Sequence, residues 1–398
     1  MFDHVVLRRA ESGAPITAGQ IAEALLFYQK VHLVIDRGTL LGLLGQIGAP
    51  SLVALISRPD FSAVYTEEIL ATTTNSVGVS KCHDFGAFVL SGDQKVGQLN
   101  TVNERLPYEF ERAGIGKADA KRFAAALLRR VPVRKLTGDH FVKGGIPEIA
   151  RKDLVNAAYL NSAIRQVLIH LPGGYDPGNE LKLEVISSPL GHFIYDNIDF
   201  DGINERRLAM VPPLERVTVA HLLSVVQDAR ADIALAAHYG GDFMTSSVTS
   251  AVVRLKYDSL FKRGAENESE RREFAHVVLP DMPTIAEALD SGERSFQDFL
   301  RLLDKSDRFR SWLKSANPDE GLTREYLKAV TSQDWIQTTK PKTIRYLLAL
   351  TADAANPVAG FVAGLADNFL IEKLLSGWRP SHFVNDRLVP FLTGDSKK

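Results

Sequence analysis

The 398-residue chain is 45% hydrophobic and 24% charged with a mean hydropathy of −0.06, the balance of an ordinary globular protein, and it shows no sign of extended disorder. A net charge of −1 and a pI near 6.8 exclude a global field that would draw the chain to nucleic acid or to an anionic membrane. One cysteine, Cys82, excludes an internal disulfide framework and any thiolate-clustered metal site, and it fits a reducing compartment.

In chain order, residues 3–8 read as a short strand, and Thr17 precedes a helix carrying Ile21, Ala22, Leu25 and Leu26. Residues 31–36 are a β-branched apolar run ending in Asp36, with helical spacing at 39–46 and again from Pro50 to Ser57; this is the rhythm of a buried strand feeding a helix. Strands are expected at 61–65 and 85–90, then helices at 101–112 and 117–130. Arg129, Arg130, Arg134 and Lys135 close the second of these, where cations complement the helix dipole. A long helix is expected over 150–171, followed by a hairpin pairing 181–185 with 191–196 across 187–190. Helical spacing resumes at 218–237, a short strand is expected at 242–245, and another helix at 248–262.

Residues 264–273 form the strongest hydrophilic break and the preferred domain boundary. Beyond it a last strand is expected at 274–279, then helices at 284–289, 295–303, 307–314 and 322–330. Residues 356–378 carry the strongest local signals of the chain. Asn356 suits an N-cap, Pro357 the first helical position and Gly377 a left-handed terminator, and Pro380 forbids continuation. That helix is apolar nearly all round, which predicts burial. Gly360 and Gly364 form a small-residue stripe where a second backbone can approach. Its charge-free run, 354–366, spans about 20 Å at 1.5 Å per residue against roughly 30 Å of hydrocarbon, so no stable membrane span is expected.

The expected fold is therefore mixed α/β and mostly helical. An α/β domain over 1–263 has a small mixed sheet containing 31–35 and 181–185 and a sub-boundary near 115–150, and a helical domain covers 274–398. The amino terminus lacks the apolar core of a signal peptide, so a cytoplasmic location is expected.

Chemistry-bearing candidates are few. The ten histidines show no metal-ligand spacing, and Cys82, His83 and Asp84 adjoin in sequence without thereby facing one another. Gly38, Gly42, Gly45 and Gly48 lack the phosphate-cradling pattern. Asp36 at a strand end, together with Asp228, Asp232 and Asp242 around the later helix and strand, resembles the opening and closing pieces of a PIN-type nuclease. That resemblance implies phosphodiester hydrolysis with carboxylates holding Mg or Mn, although Ser246 and Ser247 stand where the family offers an acid. Set against it, Asp36 caps the following helix and the other three acids are solvated surface groups.

Apart from that resemblance no cofactor is expected. Trp312, Trp335 and Trp378, each near an arginine or lysine, suit protein contacts. The leading expectation is a cytoplasmic binding or regulatory protein that meets a protein partner or a second copy through its helical domain. A degenerate PIN-like nuclease comes next, then an effector whose helical hairpin over 343–375 inserts into a bilayer. An enzymatic role stays open.

Overall fold

The computed structural model describes residues 2–8, 16–78, 80–89, 98–245, 247–316, 321–330 and 380–394. The fold is mixed α/β and mostly helical, with two small sheets, one parallel and one antiparallel. The chain divides into two compact units: an α/β unit over His4–Thr17 and Lys30–Gly264, and a helical unit over Met1–Asp3, Ala18–Gln29 and Ala265–Lys398.

In the α/β unit, β1 (His4–Arg8), β2 (Lys30–Ile35), β3 (Phe61–Tyr65) and β8 (Asp242–Met244) form a parallel sheet in the order β3-β2-β1-β8. Val5 pairs with Val31 on one side and with Asp242 on the other. Parallel strands are covered on both faces, which is why β2 beyond Lys30 is apolar apart from His32, with Val31 to Ile35 all buried. Asp36 stops that run by capping α2 (Arg37–Ile56), accepting a hydrogen bond from the Thr39 amide at 2.6 Å. By length and composition α2 could cross a membrane, with mean hydropathy 1.8. It is kinked at Gly48 (φ 71°, ψ 164°), just before Pro50, where the sequence spacing separates two helices.

The second sheet is antiparallel in the order β4-β5-β7-β6, from β4 (Glu68–Val77), β5 (Ser80–Val89), β6 (Leu183–Ser188) and β7 (Gly191–Asp196). The two runs expected to share one mixed sheet are thus in different sheets. Residues 31–35 are buried throughout, four of them apolar and the fifth His32, and need cover on both faces, whereas β6 is exposed along most of one face and pairs with its hairpin partner. The threonine-rich β4 gives no apolar signal of its own, and β5 pairs with it from end to end.

Between the sheets in sequence lie α3 (Val102–Arg112), α4 (Lys117–Arg130), α5 (Ile146–Leu154) and α6 (Ala157–His170). The long helix expected over 150–171 is broken at Asn156. Its side chain accepts from the Tyr159 amide at 3.2 Å and starts α6 afresh. Then come α7 (Phe200–Leu208), α8 (Val219–Tyr239) and α9 (Ser247–Val278). The hydrophilic run 264–273 is helical, within α9, as is the strand expected at 274–279; the division between units falls at Gly264 and Ala265 all the same. Charged residues at helical spacing are as compatible with a solvated helix as with a linker.

The helical unit contains α1 (Ala18–Phe27), the end of α9, α10 (Ile285–Asp290), α11 (Phe296–Leu303), α12 (Asp307–Ser315), α13 (Leu322–Val330), α14 (Pro380–Phe383) and α15 (Val389–Thr393). Its core is aromatic: Phe274 meets Phe27, Phe309 and Tyr326 with centroids 6.0, 6.3 and 5.2 Å away. Arg310, buried on α12, donates at 2.9 Å to the Tyr28 and Gln29 carbonyls, satisfying the open carboxyl end of α1. Residues 356–378, the sequence's clearest helix, lie outside the described residues.

Gly19 of α1 fits tightly against α10, because a Cβ there would stand 2.5 Å from Ala286 Cα and 2.6 Å from its carbonyl oxygen. Gly19→Ala improves helix propensity by up to about 1 kcal/mol, yet forces two backbones apart at a cost of about 1–3 kcal/mol. Urea unfolding should therefore give a lower midpoint for the variant; an equal or higher one contradicts this packing.

Candidate functional site

Helix α8 organises the α/β unit. Its sequence mixes apolar residues with Ser224, Gln227, Asp228, Arg230 and Asp232, yet the helix is buried almost all round from Leu222 to Ala236. Each polar group has a partner on another element. Ser224 Oγ accepts from the Thr72 amide of β4 at 3.2 Å, and Gln227 Nε2 donates to Thr72 Oγ1 at 2.8 Å. Arg230 makes two bonds of 2.6 Å to Asp153 of α5.

Arg8, the last residue of β1, donates from Nη1 to Asp232 Oδ1 at 2.6 Å and from Nη2 to Asp228 Oδ1 at 2.8 Å. The two acids are one turn apart on α8, so one guanidinium spans both. Burial alone would lower Arg8, but Asp228 and Asp232 hold its guanidinium above its ordinary value. Burial raises the Asp232 carboxyl, against the pull of Arg8, because two buried carboxylates share one cation.

The four acidic candidates do not converge. Asp228 and Asp232 come together, but they are buried and engaged with Arg8 rather than solvated. Asp242 opens β8 level with Val31 and is buried, whereas Asp36 lies five residues beyond Val31. At about 3.3 Å per residue that separation is about 16 Å along the strands, far beyond what carboxylates sharing one cation can bridge. Among the described residues no group of three or more His, Cys, Asp or Glu side chains is arranged to hold a metal ion. Asp36 serves as a helix cap.

Histidines scattered in sequence do meet in space. His32 of β2 stacks on Tyr239 at 3.7 Å between centroids and bonds Ser62 Oγ through Nδ1 at 2.8 Å. His238 stands beside Tyr239 and His140, at 4.8 and 4.7 Å. Burial, then the neighbouring His4 and His238, push His32 down to about 4. Cys82, His83 and Asp84 form no catalytic array: alternate residues of a strand face opposite ways, and the Cys82 thiol donates to the Leu190 carbonyl at 3.0 Å.

Among the described residues, a groove of about 650 Å³ is formed where β4, β5 and β7 meet α7 and the first turn of α8. Lys81, His83, Ile194, Asp196, Phe200, Arg216 and Thr218 are among the residues that line it. His83 is only 3% exposed, and Thr74 Oγ1 engages its Nδ1 at 3.0 Å. Burial, then Lys81 and His192, lower its pKa. A second cavity of about 20 Å³, lined by Arg37, Tyr65, Glu67, Arg105 and Glu109, is filled by ion pairs of 2.7 Å (Arg37 to Glu109) and 2.6 Å (Arg105 to Glu67).

Sequence reasoning did not find the groove, whose walls come from segments more than a hundred residues apart; only the start of helical spacing at 218 was visible locally. Of the interaction candidates, Trp312 packs within the helical unit, 5.7 Å from Phe309 and 5.9 Å from Tyr326. Gly360, Gly364, Trp335 and Trp378 lie outside the described residues. No family model, curated protein or solved structure matches the chain.

Arg8→Ala leaves two carboxylates buried without their cation and should lower the unfolding free energy by about 3–5 kcal/mol, measured by chemical denaturation. A loss below about 1 kcal/mol contradicts the buried clamp.

Between pH 6.5 and 4 the unfolded chain protonates His32 while the folded one resists. The stability from neutral His32 is thus complete above pH 6.5 and lost as pH falls towards 4, by roughly 3 kcal/mol. Asp232, with its raised carboxyl, works in the opposite direction and offsets part of that loss. His32→Asn should flatten the acid limb of the stability curve by the histidine's share; parallel curves for parent and variant contradict the assignment.

Proposed function

We propose that the chain is a binding protein whose α/β unit holds a small-molecule ligand in the groove at the amino end of α8. The observation that carries this reading is the groove itself. Its volume of about 650 Å³ is within the roughly 300–1,000 Å³ of small-molecule sites, and its lining combines apolar residues such as Ile194, Phe200 and Val219 with a few polar groups, among them Lys81, His83, Asn204 and Arg216. The acids, by contrast, are engaged in caps and ion pairs that build the scaffold, which favours binding over metal-dependent cleavage. Binding through protein contacts of the helical unit rests on residues that are mostly outside the described set; the one described, Trp312, has its ring against Phe309 and Tyr326.

Ala220 lines the groove in the first turn of α8, where a large side chain fills the space without touching Arg8, Asp228 or Asp232. The test is a thermal-shift screen of the full chain against nucleotides, organic acids, sugars and amino acids, repeated on Ala220→Trp. Ligands should raise the melting temperature of the parent and leave the variant, folded by circular dichroism, unmoved. An empty screen, or ligands that stabilise both proteins equally, contradicts the proposal.

A further inference from the structure

Charge is spread unevenly along the chain. Over residues 113–147 eight lysines and arginines stand against two acids, in a protein whose net charge is −1. All eight cations are exposed. Five of them belong to α4, which buries Ala120, Phe123, Ala124 and Leu127, with Phe123 against Phe110 of α3 at 4.7 Å between centroids, and so presents its charged side to solvent. The two acids are engaged: Asp119 pairs with Arg122, and Asp139 accepts from the Gly144 amide at 2.8 Å. Lys117, Lys121, Arg129, Arg130 and Lys135 make no ion pair among the described residues.

The helix dipole does not account for this face. Arg129 and Arg130 complement it in the last turn, but Lys117 opens the helix, where a cation is unfavourable, and Lys121 and Arg122 lie too far from the carboxyl end to gain from it. Past α4 the chain is tied to the parallel sheet, because the Tyr65 amide donates to the Pro132 carbonyl and the Arg134 amide to the Tyr65 carbonyl, both at 2.9 Å. Arg134 and Lys135 thus extend the positive surface from a fixed point.

A second observation is independent of the charge count. Arg134 is close enough to act on two rings: burial, then Arg134 and His238, lower the His140 pKa, and Arg134 pulls against burial at the Tyr239 hydroxyl. His140 and His238 are both exposed, with centroids 4.7 Å apart. Phe141 backs them at 4.8 and 5.4 Å, and Tyr239 stands 4.8 Å from His238. The basic surface therefore ends at a supported shelf of rings.

We propose that this surface binds single-stranded nucleic acid, with phosphates along the cations of α4, Arg134 and Lys135 and a base against the His140 and His238 rings. Charge complementarity selects a polyanion, and rings beside cations select one with flat faces to stack. A lipid surface suits the site less well, because the apolar side of α4 is buried and no large apolar side chain of residues 113–147 is exposed. The near-zero net charge does not oppose the contact, since the field that matters acts within a Debye length of about 8 Å. The inference does not depend on the groove being a ligand site.

The test is fluorescence anisotropy of the full chain with labelled oligo(dT) and oligo(U) of about 15 nucleotides. At about 50 mM salt at least one should bind with a Kd of about 100 μM or tighter, weakening as salt rises. Lys121→Gln/Arg129→Gln, two exposed and unpaired positions whose replacement leaves the circular dichroism unchanged, should weaken binding by at least about tenfold and make the log–log salt slope shallower by about 1.4. His140→Ala/His238→Ala should weaken binding about fivefold or more at fixed salt and leave that slope as it is, which separates stacking from charge. No binding of either oligonucleotide, binding indifferent to the Lys121/Arg129 pair, or equal binding to polyglutamate or to phosphatidylserine vesicles overturns the inference.

Discussion

One arginine between two carboxylates sets the terms for the α/β unit. Arg8 ends the central β1, and its guanidinium binds two acids one turn apart on α8 with nearly all solvent removed. In such surroundings a charge without its partners costs several kcal/mol. The sheet and the helix therefore keep one relative placement: sliding α8 by a turn would strand a carboxylate, and withdrawing it would strand all three groups.

From that fixed placement the rest of α8 follows. Thr72 bridges it to β4 through Ser224 and Gln227, and Asp153 ties it to α5 through Arg230. A single helix thus meets the parallel sheet, the antiparallel sheet and the intervening helices, and where it begins, at Thr218, its first turn becomes a wall of the groove. The cavity is a by-product of the same registration: β4, β5 and β7 rise past the end of a helix that cannot shift to close the gap. The polar groups inside α8 belong to the scaffold.

The elements were legible where local chemistry decides. The strand at 31–36, the helix expected over 218–237, the hairpin across 187–190 and the short helices from Thr284 to Val330 all stand close to where local spacing places them. What was illegible depends on distant partners. Asp228 and Asp232 look like surface acids because the arginine that buries them is more than two hundred residues away. β4 carries threonine where an apolar stripe would have announced a strand, and α9 continues through a hydrophilic run because helical spacing and a linker's composition do not exclude each other. The groove escaped for the same reason as the clamp: His83, Phe193 and Arg216 have no shared local pattern, and only the fold brings them to one cavity. Asp36 and Asp242 are separated by strand register, a property no short motif contains.

The account makes α8 the post on which the unit is built, so its opening should be inseparable from that of the sheet. Native-state amide hydrogen exchange measured across a denaturant series is the direct test. The amides from Leu222 to Ala236 should open with the same free energy as those of Val5 to Leu7, at the highest value in the unit, and the two sets should respond to denaturant with one common slope. An α8 that exchanges at a lower free energy than β1, or opens while the parallel sheet stays closed, would contradict it.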